Sequence, residues 1–316
     1  MSSVETNIRW ILLTAVAPIA WGSTYLTTTT FLPEGRPVFS ALVRALPVGL
    51  LLLVWRRQLP QGSWWWRAGV LGTLNIGVFF LLIFEAAYRL PGGVAATVTA
   101  LSPLVVMLLA WPLAGERANA LGLFGATLGL IGVALLVLQP GGALDPVGVA
   151  AALAAVLVSA VGFVLVKRWT PPTDLLTFTS WQLVAGGLVL LPVAFLREGA
   201  PPALDWPAVG AYAYLGLVGT GLAYVCWFAG IRHLGAGPTA LIGLVNPVVG
   251  IGLGVVFASE TFALTQGAGV VLVLIGVLLG QPAVRARLRG LATSRRRAVT
   301  ACADDERRGR ECVPAS

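Results

Sequence analysis

Apolar residues run along this chain in blocks too long for the core of a soluble domain. A spanning helix needs about 20 apolar residues, and hydropathy with turn signals places ten such segments. They cover about residues 8–30, 37–55, 67–88, 92–113 and 119–138, then 146–166, 174–196, 207–231, 236–257 and 265–281. The connections are short and carry turn residues, as at Leu32-Pro33-Glu34-Gly35, Gln139-Pro140-Gly141-Gly142, Thr170-Pro171-Pro172 and Gly199-Ala200-Pro201-Pro202. The pattern predicts an all-α integral membrane protein and leaves no room for a soluble catalytic domain.

The second half repeats the first, through most of its length at an offset of 144 residues. Gly72, Gly77, Leu90, Gly93, Ala96, Pro103, Ala114, Glu116, Gly125 and Gly132 fall on Gly216, Gly221, Leu234, Gly237, Ala240, Pro247, Ala258, Glu260, Gly269 and Gly276. In the first two spans of each half the offset is 138, which pairs Tyr25 with Phe163 and Gly49 with Gly187. A period this long marks a duplicated domain rather than a solenoid. Five spans per copy is an odd number, so the chain enters its second copy from the opposite face of the bilayer and the copies lie inverted, an arrangement found chiefly in transporters. The expected division is a five-helix repeat over 1–140, an inverted five-helix repeat over 141–282 and a basic tail over 283–316.

Composition agrees with the pattern. Hydrophobic residues make up 57% of the 316 residues and charged ones 11%, where soluble domains carry roughly 25% charged. The mean hydropathy is +0.87. The 38 glycines and 20 prolines read as close helix contacts and kinks inside apolar runs. The first stretch follows Arg9 as a signal peptide would, but it lacks a cleavage site and has a counterpart in the second copy, so it is expected to be a retained helix.

Lysine and arginine flanks set the expected orientation. A cytoplasmic N-terminus puts Arg9, Arg56, Arg57, Arg67, Arg117, Lys167, Arg168, Arg232 and nine tail arginines inside, and only Arg36, Arg89 and Arg197 outside. Both ends are then cytoplasmic. The net charge of +8 comes largely from that tail, whose attraction to anionic lipid is a simpler account than nucleic-acid binding. Its low hydrophobicity predicts disorder at its end. Cys226 lies in a span, Cys302 and Cys312 lie in the tail, and His233 sits at a helix end; none has the spacing of a metal site, and no cofactor is expected.

The chemistry must come from polar and aromatic groups within the spans. Arg44 lies about two turns into the second, where a charge costs at least ~2.5 kcal/mol and faces a cavity or a partner. Glu85, in the outer part of the third span, is at similar depth. Arg44 either attracts a substrate carboxylate, with Glu85 as its resting partner or as the contact for a substrate amine, or it forms an orienting bridge or snorkels to headgroups. Pro103 and Pro247 occupy matching mid-span positions, each removing a backbone hydrogen bond and clashing with the carbonyl four residues back. Both helices should kink there, beside Ser102 and Asn246, as hinges or as static bends. Trp21 with Tyr25 and Tyr224 with Trp227 each share a helix face. Phe80, with Phe79 beside it and Asn75 one turn before, corresponds to Tyr224; Trp181 and Gln182 fall where the seventh span matches Arg44. Together these residues could line a mostly apolar pocket with scattered polar groups. Trp64, Trp65, Trp66 and Trp206 read as interfacial.

The ordered set resembles the EamA-type members of the drug/metabolite transporter superfamily over about residues 8–282. It comprises Trp21-Gly22-Ser23-Thr24-Tyr25, Arg44, Ser102-Pro103-Leu104, Gly115-Glu116-Arg117, Tyr224, Trp227-Phe228-Ala229, Asn246-Pro247-Val248 and Glu260. The resemblance implies ten helices in two inverted repeats in the bacterial inner membrane, working as an exporter of amino acids or other small metabolites. Among its branches the chain looks most like the aromatic amino-acid exporters. Glu85 departs from the family pattern, where a neutral residue is usual. Glu116 and Glu260 belong to it and read as ties between helix ends.

The expected mechanism is alternating access around a central cavity, by a monomer or weak dimer whose partners are a small-molecule substrate and membrane lipid. No G-x-x-x-x-G-K motif appears, so direct ATP use is excluded; a facilitator and a proton antiporter both remain open, with Glu85 the one candidate proton carrier. No nucleophile with its base, acid pair or metal cluster suggests an enzyme. A carrier of lipid-linked or nucleotide-linked sugars and a multidrug exporter are the rival readings.

Overall fold

The computed structural model describes residues 3–90, 98–137, 145–257, 264–282 and 284, apart from the side chains at 3–7, 25, 29, 87, 88, 137 and 254. Glu260, the side chain of Tyr25 and nearly all of the basic tail lie outside the described residues.

Those residues form helices and turns, with no strand among them. Helices satisfy every backbone group internally, which a hydrocarbon surrounding requires. Seven stretches are long and apolar enough to cross a bilayer: Ile8–Thr28, Pro37–Arg56, Trp64–Ala86, Pro146–Arg168, Leu175–Glu198, Trp206–Leu234 and Ala236–Phe257. Ser102–Ala114, Ala120–Leu136 and Leu264–Leu279 are shorter apolar helices. The outer surface carries fully apolar side chains such as Leu12, Val54, Leu108, Phe124, Leu196 and Leu264, each more than half exposed. That surface suits lipid rather than water.

The helices are α1 (Ser3–Gly22), α2 (Thr24–Phe31), α3 (Pro37–Arg56), α4 (Trp64–Gly72), α5 (Phe79–Arg89), α6 (Ser102–Ala114), α7 (Ala120–Val137), α8 (Pro146–Arg168), α9 (Leu175–Glu198), α10 (Trp206–Gly216), α11 (Ala223–Leu234), α12 (Ala236–Ile242), α13 (Val245–Phe257) and α14 (Leu264–Leu279). Their ends follow local chemistry. Asp145, Asp174 and Asp205 cap α8, α9 and α10 by accepting from the exposed amides of the first turn, and Gly115, at φ 73°, closes α6 in the left-handed region.

Two pairs of long helices pack most closely, α3 on α9 and α7 on α14. Each joins a helix of the first half to its sequence counterpart in the second. Gly125 faces Gly276 while Gly132 faces Gly269, and a Cβ on Gly132 or Gly269 would stand 2.7 Å from the opposite glycine's carbonyl oxygen. Residue numbers rise along one helix as they fall along the other, so α7 and α14 run antiparallel. Gly49 against Leu183 and Gly187 against Leu46 show the same for α3 and α9. The lighter contacts are swapped in matching fashion: α1 packs on α11 and α13, and α8 packs on α5 and α6.

The spans are less regular than their apolar patterns. A π-helical segment, Thr73–Val78, joins α4 to α5, and a second, Leu217–Leu222, joins α10 to α11 at the repeat offset. Pro103 and Pro247 do not kink continuous helices. The helix is interrupted at Ala100–Leu101 and at Gly243–Leu244, and each proline sits in the first turn of the helix that restarts, α6 or α13. A proline there loses no hydrogen bond, because first-turn amides have no partner within the helix. Short bonds from Leu101 N to Val98 O (3.1 Å) and from Leu244 N to Leu241 O (3.1 Å) tighten the breaks.

Candidate functional site

The two breaks and the α1–α2 junction converge on a cavity of about 410 Å³ between the halves. Helices from both sequence halves wall it. Trp21 and Thr24 come from the first span, Arg44 from α3, and Phe79, Phe80 and Phe84 from α5. Thr99, Ser102 and Pro103 surround the first break, Ser159 and Phe163 lie on α8, Tyr224 and Trp227 on α11, and Gly243, Asn246 and Pro247 around the second break.

Aromatic rings make most of its surface. Trp21 is tilted against Tyr224 with centroids 5.4 Å apart and against Trp227 at 5.1 Å; Phe163 meets Trp227 edge-on at 5.5 Å, and Phe80 stands between Phe79 at 5.8 Å and Phe84 at 6.3 Å. These distances fall in the favourable range for offset and edge contacts.

Arg44 is the charged group in this wall, 7% exposed. Its Nε donates to Thr220 Oγ1 at 3.3 Å and its Nη2 to the Gly219 carbonyl at 3.5 Å, both long. The guanidinium carbon lies 5.4 Å from the centre of the Phe80 ring, within the range of a cation–π contact. Among the described residues no carboxylate pairs with it. The Gly219 carbonyl belongs to the second π-helical segment and also accepts from Trp21 Nε1 at 2.9 Å. Two further donors on cavity-lining side chains, Trp227 Nε1–H and the Thr24 hydroxyl, are buried without a hydrogen-bond partner among the described residues.

Of the residues singled out in the sequence, Trp21, Arg44, Phe79, Phe80, Tyr224, Trp227, Asn246, Pro103 and Pro247 meet at this cavity. Glu85 does not pair with Arg44. It accepts from Arg89 Nε at 2.6 Å and Arg197 Nη1 at 3.5 Å and lines a separate groove with Leu81, Leu82, Val193, Leu196 and Arg197. One turn separates Glu85 from Arg89 at the span's polar end, so the local partner wins. Trp181 lies near the other end of α9, its indole donating to the Gln58 carbonyl at 2.8 Å. Asn75 and Gln182 are fully buried and bond each other, Asn75 Nδ2 to Gln182 Oε1 at 2.8 Å, behind the cavity wall. Thr24, Phe84, Ser159 and Phe163 also line it. Ser159 had a legible signal: it stands where the offset of 138 puts Trp21, and a small residue opposite a large aromatic leaves space.

At the end of the molecule remote from this lining, Glu116 joins the halves. Its Oε2 accepts from the Ala236 amide at 3.1 Å and its Oε1 lies 3.8 Å from Lys167 Nζ, which donates to the Arg232 carbonyl at 3.1 Å.

The model of the EamA-like transporter family matches residues 8–138 and again residues 146–280. Protein PecM of Dickeya dadantii is 42% identical over 267 residues, which cover 84% of this chain and 90% of that protein. The uncharacterized inner membrane transporter YedA of Escherichia coli is 30% identical over 273 residues, 83% of this chain and 87% of that one. One crystal structure aligns with 88% of this chain and 99% of its own at a TM-score of 0.74 and 21% identity, a likeness of fold. A membrane-embedded helical protein whose two halves each carry the family pattern, this chain belongs to the EamA-like transporter family.

Proposed function

We propose that the protein is a secondary transporter that exports amino acids or similar small metabolites, aromatic or otherwise apolar, across the bacterial inner membrane by alternating access. The observation that carries this reading is the aromatic cavity around Arg44, walled by helices of both halves and bordered by a helix break from each. Sites of this kind lie where broken helices meet at the interface of repeats. Support for the architecture comes from the antiparallel crossing of α3 with α9 and of α7 with α14, and from the two separate family matches. These favour ten spans in two inverted five-helix repeats, 1–140 and 141–282, followed by a cytoplasmic tail. The aromatic wall favours the aromatic amino-acid exporter branch.

The arginine and lysine asymmetry favours cytoplasmic termini, and YedA, described as an inner membrane transporter, favours that membrane. The cavity then lies toward the outer face, while the Glu116 contacts hold the halves together on the cytoplasmic side. The breaks beside Pro103 and Pro247 supply hinges at which the prolines themselves give up no helical hydrogen bond as the halves rock. The Glu85 groove shares no lining residue with the cavity, so it lends nothing to the sugar-carrier alternative.

Purified protein in liposomes, screened across amino acids, nucleotide sugars and cationic drugs, tests the assignment. Saturable flux of aromatic solutes is expected. Flux confined to nucleotide sugars, or unsaturable flux of every solute, would remove it.

A further inference from the structure

We infer that the cargo is an aromatic monocarboxylate without a positive charge, bound to Arg44 and carried as an anion, so that each turnover moves one negative charge. This rests on the transporter reading above and places its cargo among the similar small metabolites of that reading rather than its amino acids, as arylalkyl acids that lack an ammonium group.

The first ground is the charge of the site. A guanidinium stays protonated in proteins, and one at membrane depth is stable only with a partner or an aqueous cavity. Arg44 has two long bonds to neutral oxygens and a ring face, with no carboxylate paired to it among the described residues. Most of its five donors are left to a ligand, and the planar fork of an arginine matches a carboxylate two bonds at a time. The site empty of cargo is thus cationic, and a bound carboxylate neutralises it.

A second, independent ground is the lack of an acid in the described lining. An ammonium calls for an anionic partner, and no carboxylate is among the described residues lining the cavity. Glu85, the acid that could have received an amine, is held outside by Arg89 and Arg197. An amino-acid zwitterion would place its ammonium near Arg44 with only aromatic faces and neutral oxygens to hold it. The rings of Trp21, Phe80, Tyr224 and Trp227 account for the apolar body of the cargo.

The charge also supplies the direction. With no acid in the described lining to carry a counter-proton, the transported negative charge moves with the membrane potential. A cell interior that is negative drives an anion outward with no second ion, which is export.

The test uses the full chain in liposomes with 3-phenylpropionate, phenylalanine and phenethylamine, which share one aromatic body and carry net charges of −1, 0 and +1. Tryptophan fluorescence of the same protein in nanodiscs reports binding separately. We expect 3-phenylpropionate to bind and move at least about tenfold better than either amine, in keeping with a charge-assisted bond. A valinomycin-clamped tenfold potassium gradient should bring it to about a tenfold gradient of its own, independent of pH gradient. Arg44→Gln should cost about tenfold or more in binding, whereas Arg44→Lys, which keeps the charge, should lose less; equal thermal melts of the two would show that folding is not the cause. Phenylalanine bound or moved as well as 3-phenylpropionate, or flux indifferent to the potential, would overturn the inference and leave the transporter reading standing. Binding with this preference but no flux of any solute would uphold the cargo class and end the transporter reading. Neither binding nor flux of any of the three would end both.

Discussion

The two π-helical segments occupy equivalent places in the two halves and do different work. In the first half, Asn75 lies in its π-helical segment and bonds Gln182 of α9; both are fully buried. At the second segment the residue equivalent to Asn75 is Gly219, and its neighbour across the halves is Arg44 of the first half, the residue equivalent to Gln182, at offsets of 144 and 138. One pair meets side chain to side chain through a single hydrogen bond, with Asn75 Oδ1 and Gln182 Nε2 buried without a partner among the described residues. In the other there is no side chain to meet, so the guanidinium reaches a backbone carbonyl and a hydroxyl at long distance and faces a cavity. The contrast extends one turn further. Tyr224 donates its hydroxyl to the Asn75 carbonyl at 3.2 Å, but its counterpart Phe80 has none to give, and the Gly219 carbonyl is left for Trp21 and Arg44. A duplicated scaffold thus turns one copy of a polar joint into a side-chain pair and the other into part of a cavity wall. Such π-helical insertions are frequent at functional sites.

The sharpest way to break this comparison is to give the paired joint the charge of the open one. Gln182→Arg would bury a guanidinium beside Asn75 with no cavity and no acid, at a cost of about 3 kcal/mol. The expected outcome is a clear drop in the midpoint of thermal unfolding, followed by fluorescence-detected size exclusion, together with lower yield. A variant melting with the parent protein would mean that the first joint has room for a charge, and the contrast between halves would be lost.

Next in size is Asn75→Leu. It strands the Gln182 amide in an apolar surrounding, for about 1–3 kcal/mol. The double change Asn75→Leu with Gln182→Leu removes both partners and should recover part of that loss, because the penalty lies in the unmatched group rather than in the missing bond. A double variant as unstable as the sum of the singles would show that the pair is not coupled.

The smallest effect concerns how α3 and α9, the helices that carry Arg44 and Gln182, are held at opposite ends. Glu198 accepts from the Val38 and Phe39 amides that open α3, at 2.7 and 2.9 Å. Asp174 caps its own helix and pairs with Arg56 from the end of α3 at 2.8 Å. Partial desolvation pushes the Asp174 carboxyl up, but hydrogen bonds from Arg56 and Thr177 outweigh it and hold it at about 2. A folded-state value below the ordinary 3.8 stabilises above that ordinary value, and the contribution is lost as pH falls through about 2. Asp174→Asn keeps the cap and removes the charge. With both partners more than a third exposed, the loss should be under about 1 kcal/mol at neutral pH. Melts of the two proteins should converge near pH 2; a gap that persists there would assign the effect to the cap.

Much of this was written in the chain. A 144-residue offset and runs of apolar residues suffice for spans, duplication and the placing of Trp21, Arg44, Tyr224 and Trp227 among the site candidates, because hydropathy and periodicity are properties of segments. The prolines marked the right places but the wrong deformation. Whether a helix bends or restarts depends on whether neighbours accept a break, and Trp227, whose ring edge would stand 3.1 Å from a Cβ on Gly243, is supplied by another helix. Glu85 failed as a partner for Arg44 because similar depth in the bilayer says nothing about which way two side chains face.

By itself, the order of residues determined that this chain lies in a membrane, that it is built twice over, and that a few polar groups inside its spans need a purpose. Only the tertiary structure decided which of two equivalent polar positions is paired and which is open. That choice turns on whether a partner side chain stands within about 3 Å, a distance set by how helices from opposite halves cross and invisible to any pattern along one of them.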